Sequence, residues 1–110
     1  MVRELKSIAE ADTVVDSATP AWLFKHSSSC SISAYAMQEF MQYVNAYPDE
    51  QAAFVVVQKH RDISDHIARR LGVRHESPQL FLVQGGAALF HTSHADISVE
   101  NMEQARAGVL

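Results

Sequence analysis

Two consecutive glycines, Gly85-Gly86, stand between the apolar runs Leu80-Phe81-Leu82-Val83 and Ala87-Ala88-Leu89-Phe90. A two-residue connection forces its flanking strands to pair antiparallel, and glycine supplies the positive φ that tight hairpins require. Glycine pairs also occur in phosphate-binding loops, but those join a strand to a helix, whereas this pair joins two strands. Ala53-Phe54-Val55-Val56-Val57 adds a different constraint. It is continuously apolar and largely β-branched, as expected of a strand covered on both faces.

The rest of the chain supplies the cover. Ser7-Ile8-Ala9-Glu10 fits a capping box that opens a helix to about Ser17, with Ile8, Ala11 and Val15 on its apolar side. Thr19-Pro20 ends it and leads into a strand, Ala21 to Lys25. From near Cys30 to Tyr47, apolar residues at Ile32, Ala36, Phe40 and Val44 recur at the spacing of one helix face, and Pro48 stops the helix. Asp62 or Ser64 caps a shorter helix whose stripe is Ile63, Ile67 and Leu71, and Gly72 follows as a left-handed terminator. Ile97 and Met102 form a hydrophobic staple across the N-cap of a last helix beginning at Ile97-Ser98.

The first two strands are joined through a helix, so they are expected parallel with a right-handed crossover. The natural solution is an α/β domain, a four-stranded mixed sheet with helices on both faces, occupying residues 1–110 as one unit.

Charge and cysteine use narrow the function. The formal net charge is −4 with histidines neutral, and the basic residues are scattered, so the stripe of a nucleic-acid binder is missing. No apolar stretch reaches the length of a membrane span, and the N-terminus lacks a signal-peptide core. Cys30 is the single cysteine, so no internal disulfide forms and the cytoplasm is the expected compartment. The six histidines show no H-x-x-H or Cys/His clustering, and no protein-built metal site is expected.

Cys30 lies where a strand hands over to a helix, within Lys25-His26-Ser27-Ser28-Ser29-Cys30-Ser31-Ile32-Ser33. A free cysteine is most often a small buried hydrophobe. Here it sits among serines at a helix start, where unpaired N–H groups and the macrodipole favour a negative charge and hence a reactive thiolate. Ser33 occupies the place that the second thiol of a Cys-x-x-Cys site would take.

A strand, a cysteine at a helix start and a proline just before a hairpin together resemble the thioredoxin fold. There the proline is cis and packs beside the active cysteine, and Pro78 stands in the matching place. Phe24-Lys25-His26-Ser27, Cys30-x-Ile32-Ser33, His75-Glu76-Ser77-Pro78-Gln79 and Ser93-His94 resemble, in order and spacing, the monothiol bacilliredoxins of the bacillithiol redox system. The likeness runs from about Ile8 to the C-terminus. It departs at Ser31, where the family usually has proline; serine restores an N–H near the sulfur.

The resemblance implies a thiol–disulfide oxidoreductase that removes bacillithiol, or a similar low-molecular-weight thiol, from mixed disulfides of client proteins through Cys30. No cofactor is implied beyond that thiol as co-substrate. Ser33 either donates a hydrogen bond to the thiolate or satisfies the backbone of the first helical turn. Ser77 and Pro78 present an edge to an extended substrate, and Ser31 and His94 flank it. Lys25 and His26 offer positive charge to a carboxylate-rich thiol, although strand alternation lets at most one face the site. Two other readings compete. One is an iron–sulfur carrier like the monothiol glutaredoxins, whose Cys-Gly-Phe-Ser site differs from Cys-Ser-Ile-Ser here. The other is a redox-silent thioredoxin-like binding module.

Overall fold

A computed structural model describes residues 2–109. In chain order the elements are β1 (Val2–Glu4), α1 (Ile8–Val15), β2 (Ala21–His26), α2 (Ser31–Ala46) and β3 (Gln51–Val56). There follow α3 (Arg61–Leu71), β4 (Gln79–Gln84), β5 (Ala87–Ser93), a one-turn 3₁₀ helix (His94–Asp96) and α4 (Val99–Ala107). The sheet has five strands in the order β1-β3-β2-β4-β5 rather than the four expected. The added strand is three residues long, too short for alternation to show in sequence. It pairs parallel with β3, and Leu5 N–H extends the ladder to Phe54 O at 2.7 Å.

β2 is central, parallel to β3 and antiparallel to β4. Its residues from Ala21 to Lys25 are all buried because alternate side chains enter two different cores. Ala21 and Leu23 pack with Val14, Val15, Ile63 and Ile67 of α1 and α3. Trp22 and Phe24 pack on the other face with Phe40, Tyr43 and Met102 of α2 and α4. Phe24 stacks on Phe40 at 5.0 Å between centroids.

The hairpin forms where expected. Gly85 and Gly86 have φ of 58° and 85°, and their N–H groups donate to Ser17 O and Val15 O, so the turn also closes the end of α1. Ser7 caps α1 by accepting from Glu10 N–H, while the Glu10 carboxylate reaches back to Lys6 N–H instead of Ser7. Ile8 is exposed, and Val14 takes its place on the buried side. α3 begins earlier than either Asp62 or Ser64. His60 is its N-cap, because the chain turns directly out of β3, with Lys59 and His60 N–H both on Val56 O, and Ser64 N–H bonds His60 O. Gly72 ends it in the left-handed region, and Ile97 and Met102 are both buried around Ser98, the cap of α4.

Candidate active site

Cys30 is the N-cap of α2. Its backbone is extended, its carbonyl accepts from Ala34 N–H at 3.1 Å, and its side chain is partly exposed with no capping bond. The serine-rich stretch Ser27–Ser29 resists helix and lets the chain leave β2 in a tight loop, so the sulfur arrives at a helix start whose first N–H groups have no intrahelical acceptor. Ser31, the first helical residue, is exposed beside it.

Ser33 is fully buried one turn on. Its Oγ lies 2.8 Å from Ser27 N, which donates to it, and 2.8 Å from His26 Nδ1. Burial pushes the His26 pKa down from its ordinary value, favouring the neutral imidazole. With Nδ1 as acceptor, a donor chain runs from Ser27 N–H through the Ser33 hydroxyl to His26. Of the two expected roles for Ser33, the structure shows the backbone one, extended to a histidine; the hydroxyl's partners are not the sulfur.

Lys25 and His26 point into opposite layers. His26 shares the α2 face with Phe24, its ring 5.9 Å away. Lys25 is wholly buried on the other face, its Nζ 3.0 Å from His75 Nδ1 and 5.6 Å from the centre of the Phe81 ring. Burial pushes the lysine down to about 8, against the opposing influence of Asp65. The His75 pKa is lowered by burial and by the charges of Lys25 and Arg61. The expectation that Lys25 offers charge to a carboxylate-bearing thiol is therefore corrected: its ammonium is used inside the fold, on the loop that precedes β4.

That loop carries the cis Ser77-Pro78 bond. Gln79 pairs with Lys25, so Pro78 enters β4 beside the end of β2, at the edge from which the Cys30 loop departs. The buried Gln79 side chain braces the loop by donating to Arg74 O at 2.9 Å and accepting from Glu76 N–H at 3.3 Å. Pro78 O accepts from His94 N–H at 3.1 Å, and His94 has a φ of 55°. Main-chain pairing thus joins Pro78 to His94, while the Ser77 hydroxyl is buried without a partner. A shallow groove of about 380 Å³ runs from Ile32 and Tyr35 to His94 and Ala95. Ile32, expected on the core-facing stripe of α2, is 44% exposed, and Tyr35 is 70% exposed. Both lie in the first two turns of α2 and line this groove.

Gln58 was not among the residues that sequence marks. In the turn after β3, its Nε2 donates to Ser27 Oγ at 2.8 Å and Ser29 Oγ at 3.1 Å, and its Oε1 accepts from Ser28 N–H at 3.0 Å. A lone polar residue between a strand and a helix carries no signal of such a role. Among the described residues, no three His, Cys, Asp or Glu side chains cluster as a metal site needs, and no helix is long and apolar enough to cross a membrane.

A single cysteine at the head of the helix that follows a central strand, with a cis-proline opening the neighbouring strand, defines a thioredoxin-fold thiol redox protein. Residues 3–102 match the family model described as "Monothiol bacilliredoxin BrxC", and the chain belongs to that family. A solved structure described as a candidate oxidoreductase with a thioredoxin fold is 34% identical, with a TM-score of 0.88 over 96% of this chain and 93% of that one. The thioredoxin of Trypanosoma brucei brucei is 14% identical, with a TM-score of 0.81 over 99% and 90% of the two chains. Mitochondrial thioredoxin 3 of Saccharomyces cerevisiae, also 14% identical, superposes at 0.76 over 97% and 94%. These last two share the fold.

Proposed function

We propose that this protein removes bacillithiol, or a closely similar small thiol, from protein mixed disulfides by a monothiol exchange through Cys30. The observation that carries the reading is the lone cysteine at the N-cap of α2 in a member of the monothiol bacilliredoxin family. The Cys30 thiolate attacks the small-thiol sulfur of the mixed disulfide. A new S–S bond forms to Cys30, the old one breaks, and the client cysteine leaves with its electron pair as a thiolate. A second small thiol, supplied from solution, then attacks the adduct and leaves Cys30 reduced, with the two small thiols joined as a disulfide.

The residues around the sulfur divide this work. The α2 N-terminus, with Cys30 as its N-cap, leaves its first N–H groups without intrahelical acceptors at the end where the exchange takes place. Ser33 fixes the start of the loop and contributes no second sulfur. The backbone at Ser77 and the groove beside His94 receive the client chain and the small thiol, with Ser31 at their margin. Clients are thiol-bearing proteins in the cytoplasm, and no bound cofactor takes part. The test is a model protein carrying bacillithiol in disulfide linkage, incubated with the reduced protein. Mass spectrometry is expected to show the client thiol freed and the adduct moved to Cys30. Acceptance of a glutathione adduct alone would leave the reaction class standing and overturn the choice of thiol.

A further inference from the structure

Gln58 binds three consecutive residues with one carboxamide, and those three are the residues immediately before Cys30. The orientation of that amide is determined by chemistry. Ser28 N–H can only donate, so it must meet Oε1, and Nε2 must therefore face the two hydroxyls. Both serine oxygens then act as acceptors, and each keeps its own hydrogen to donate. Ser27 is buried, but Ser29 is exposed, so a hydroxyl donor stands at the surface one residue from the sulfur.

The loop has few other holds. Ser27 N–H is bonded to Ser33 Oγ, Cys30 N–H donates to Ser27 O in a long 3.5 Å turn bond, and Val57 N–H to His26 O at 2.9 Å ties the two chain segments where they leave the sheet. Beyond those points, the Ser28 amide and both serine hydroxyls rely on Gln58. Disulfide exchange needs the attacking sulfur in line with the bond being broken, and small displacements of a reacting group lower rates steeply. We propose that Gln58 is a positioning residue for the Cys30 reaction: it sets the conformation of Ser27–Ser29, the segment that carries the chain from β2 to the sulfur. This inference deepens the proposed function and rests on it for the reaction, not for the identity of the small thiol.

The test compares the full-length parent with Gln58→Ala and Gln58→Glu. Two rates are measured against pH, alkylation by iodoacetamide and transfer from the bacillithiol-bearing model protein, together with Tm and hydrogen exchange at the Ser28 amide. Gln58→Ala is expected to expose the Ser28 amide and slow both reactions about tenfold with little change in Tm. Gln58→Glu still accepts from Ser28 N–H, so protection there should persist. Its carboxylate now takes the hydroxyl hydrogens and sets a negative charge near the sulfur, so both pH–rate profiles should move to higher pH. A residue that merely stabilised the fold would move neither profile in this variant, which also carries the test if the alanine protein fails to fold. Parental rates and pH profiles in both variants would overturn the proposal. Gln58-dependent alkylation in a parent that transfers no bacillithiol would keep it and sink the substrate assignment instead.

Discussion

Lys25 and His26 are neighbours on one strand, yet each serves a different layer of the molecule. His26 reaches into the α2 face and, through Ser33, fixes the start of the helix that presents Cys30. Lys25 reaches into the α1/α3 face and meets His75, bracing the loop that leads to the cis-proline. Both contacts involve an imidazole nitrogen, but their energetics differ. The serine–histidine contact joins neutral groups and leaves each satisfied. The lysine contact buries an ammonium with no carboxylate of the described residues in ion-pair range, and the chain bears that cost through a depressed pKa. One side of β2 therefore holds the start of the helix that carries Cys30, while the other buries a titratable ammonium against the loop that leads to Pro78.

The largest test of this division is Cys30→Ser. Transfer should be lost outright on mass spectrometry of the client, because no second thiol exists to substitute; retained transfer would remove the site assignment altogether. Next is Ser33→Cys, which places a thiol one turn beyond Cys30 in the position now 2.8 Å from His26 Nδ1. That variant should form an internal disulfide and expel the small thiol without a second equivalent, converting a monothiol protein to a dithiol one. Free-thiol counting before and after oxidation decides it, and two persistent thiols would show that the α2 side is not arranged as described.

On the other face the expected effect is on stability. The folded Lys25 value of about 8 lies below the ordinary 10.5, so the unfolded chain binds that proton more tightly. Stability should therefore rise with pH across the window between these two values, 8 and 10.5. Lys25→Met should abolish the rise and recover up to about 3 kcal/mol at neutral pH, less whatever the lost His75 contact contributed. Denaturant unfolding at several pH values measures this, and the variant should retain Cys30 transfer. If transfer disappeared with Lys25, the separation of the two faces would fail. The smallest effect belongs to Ser33→Ala, which strands Ser27 N–H and frees His26. A loss of about 1–3 kcal/mol is expected in unfolding experiments, with transfer slowed but present.

How much of this could be read from residues alone follows the same line. The hairpin, the parallel crossover, the left-handed Gly72 and the Ser98 cap each rest on local chemistry, and each was legible. β1 was not, because three residues that alternate apolar, basic and acidic say nothing until β3 offers them an edge. Ile8 and Ile32 were assigned to apolar faces by periodicity, but periodicity gives a face and not how far the neighbouring layer extends. Cys30 stood out by its place among serines at a helix start, whereas Pro78 and His94 came with the family motifs. Lys25 was misread because its charge suggested an exposed role, whereas its place in a strand buried on both faces decided the matter. Gln58 left no trace, since its three contacts depend on two loops meeting in space.

The closure of α1 by the Gly85-Gly86 turn has a consequence for how the chain reaches its native state. The carbonyls of Val15 and Ser17 find their donors only in a hairpin from the other end of the sequence. β2 likewise lacks its antiparallel partner until β4 is in place. An early N-terminal β1–α1–β2 nucleus would leave both demands unmet, so one long loop closure satisfies them together, and unfolding should be all-or-none. Amides of α1 and β4 should then exchange with the same opening free energy. Independent exchange of α1 would mean that the N-terminal segment forms a separate cooperative unit.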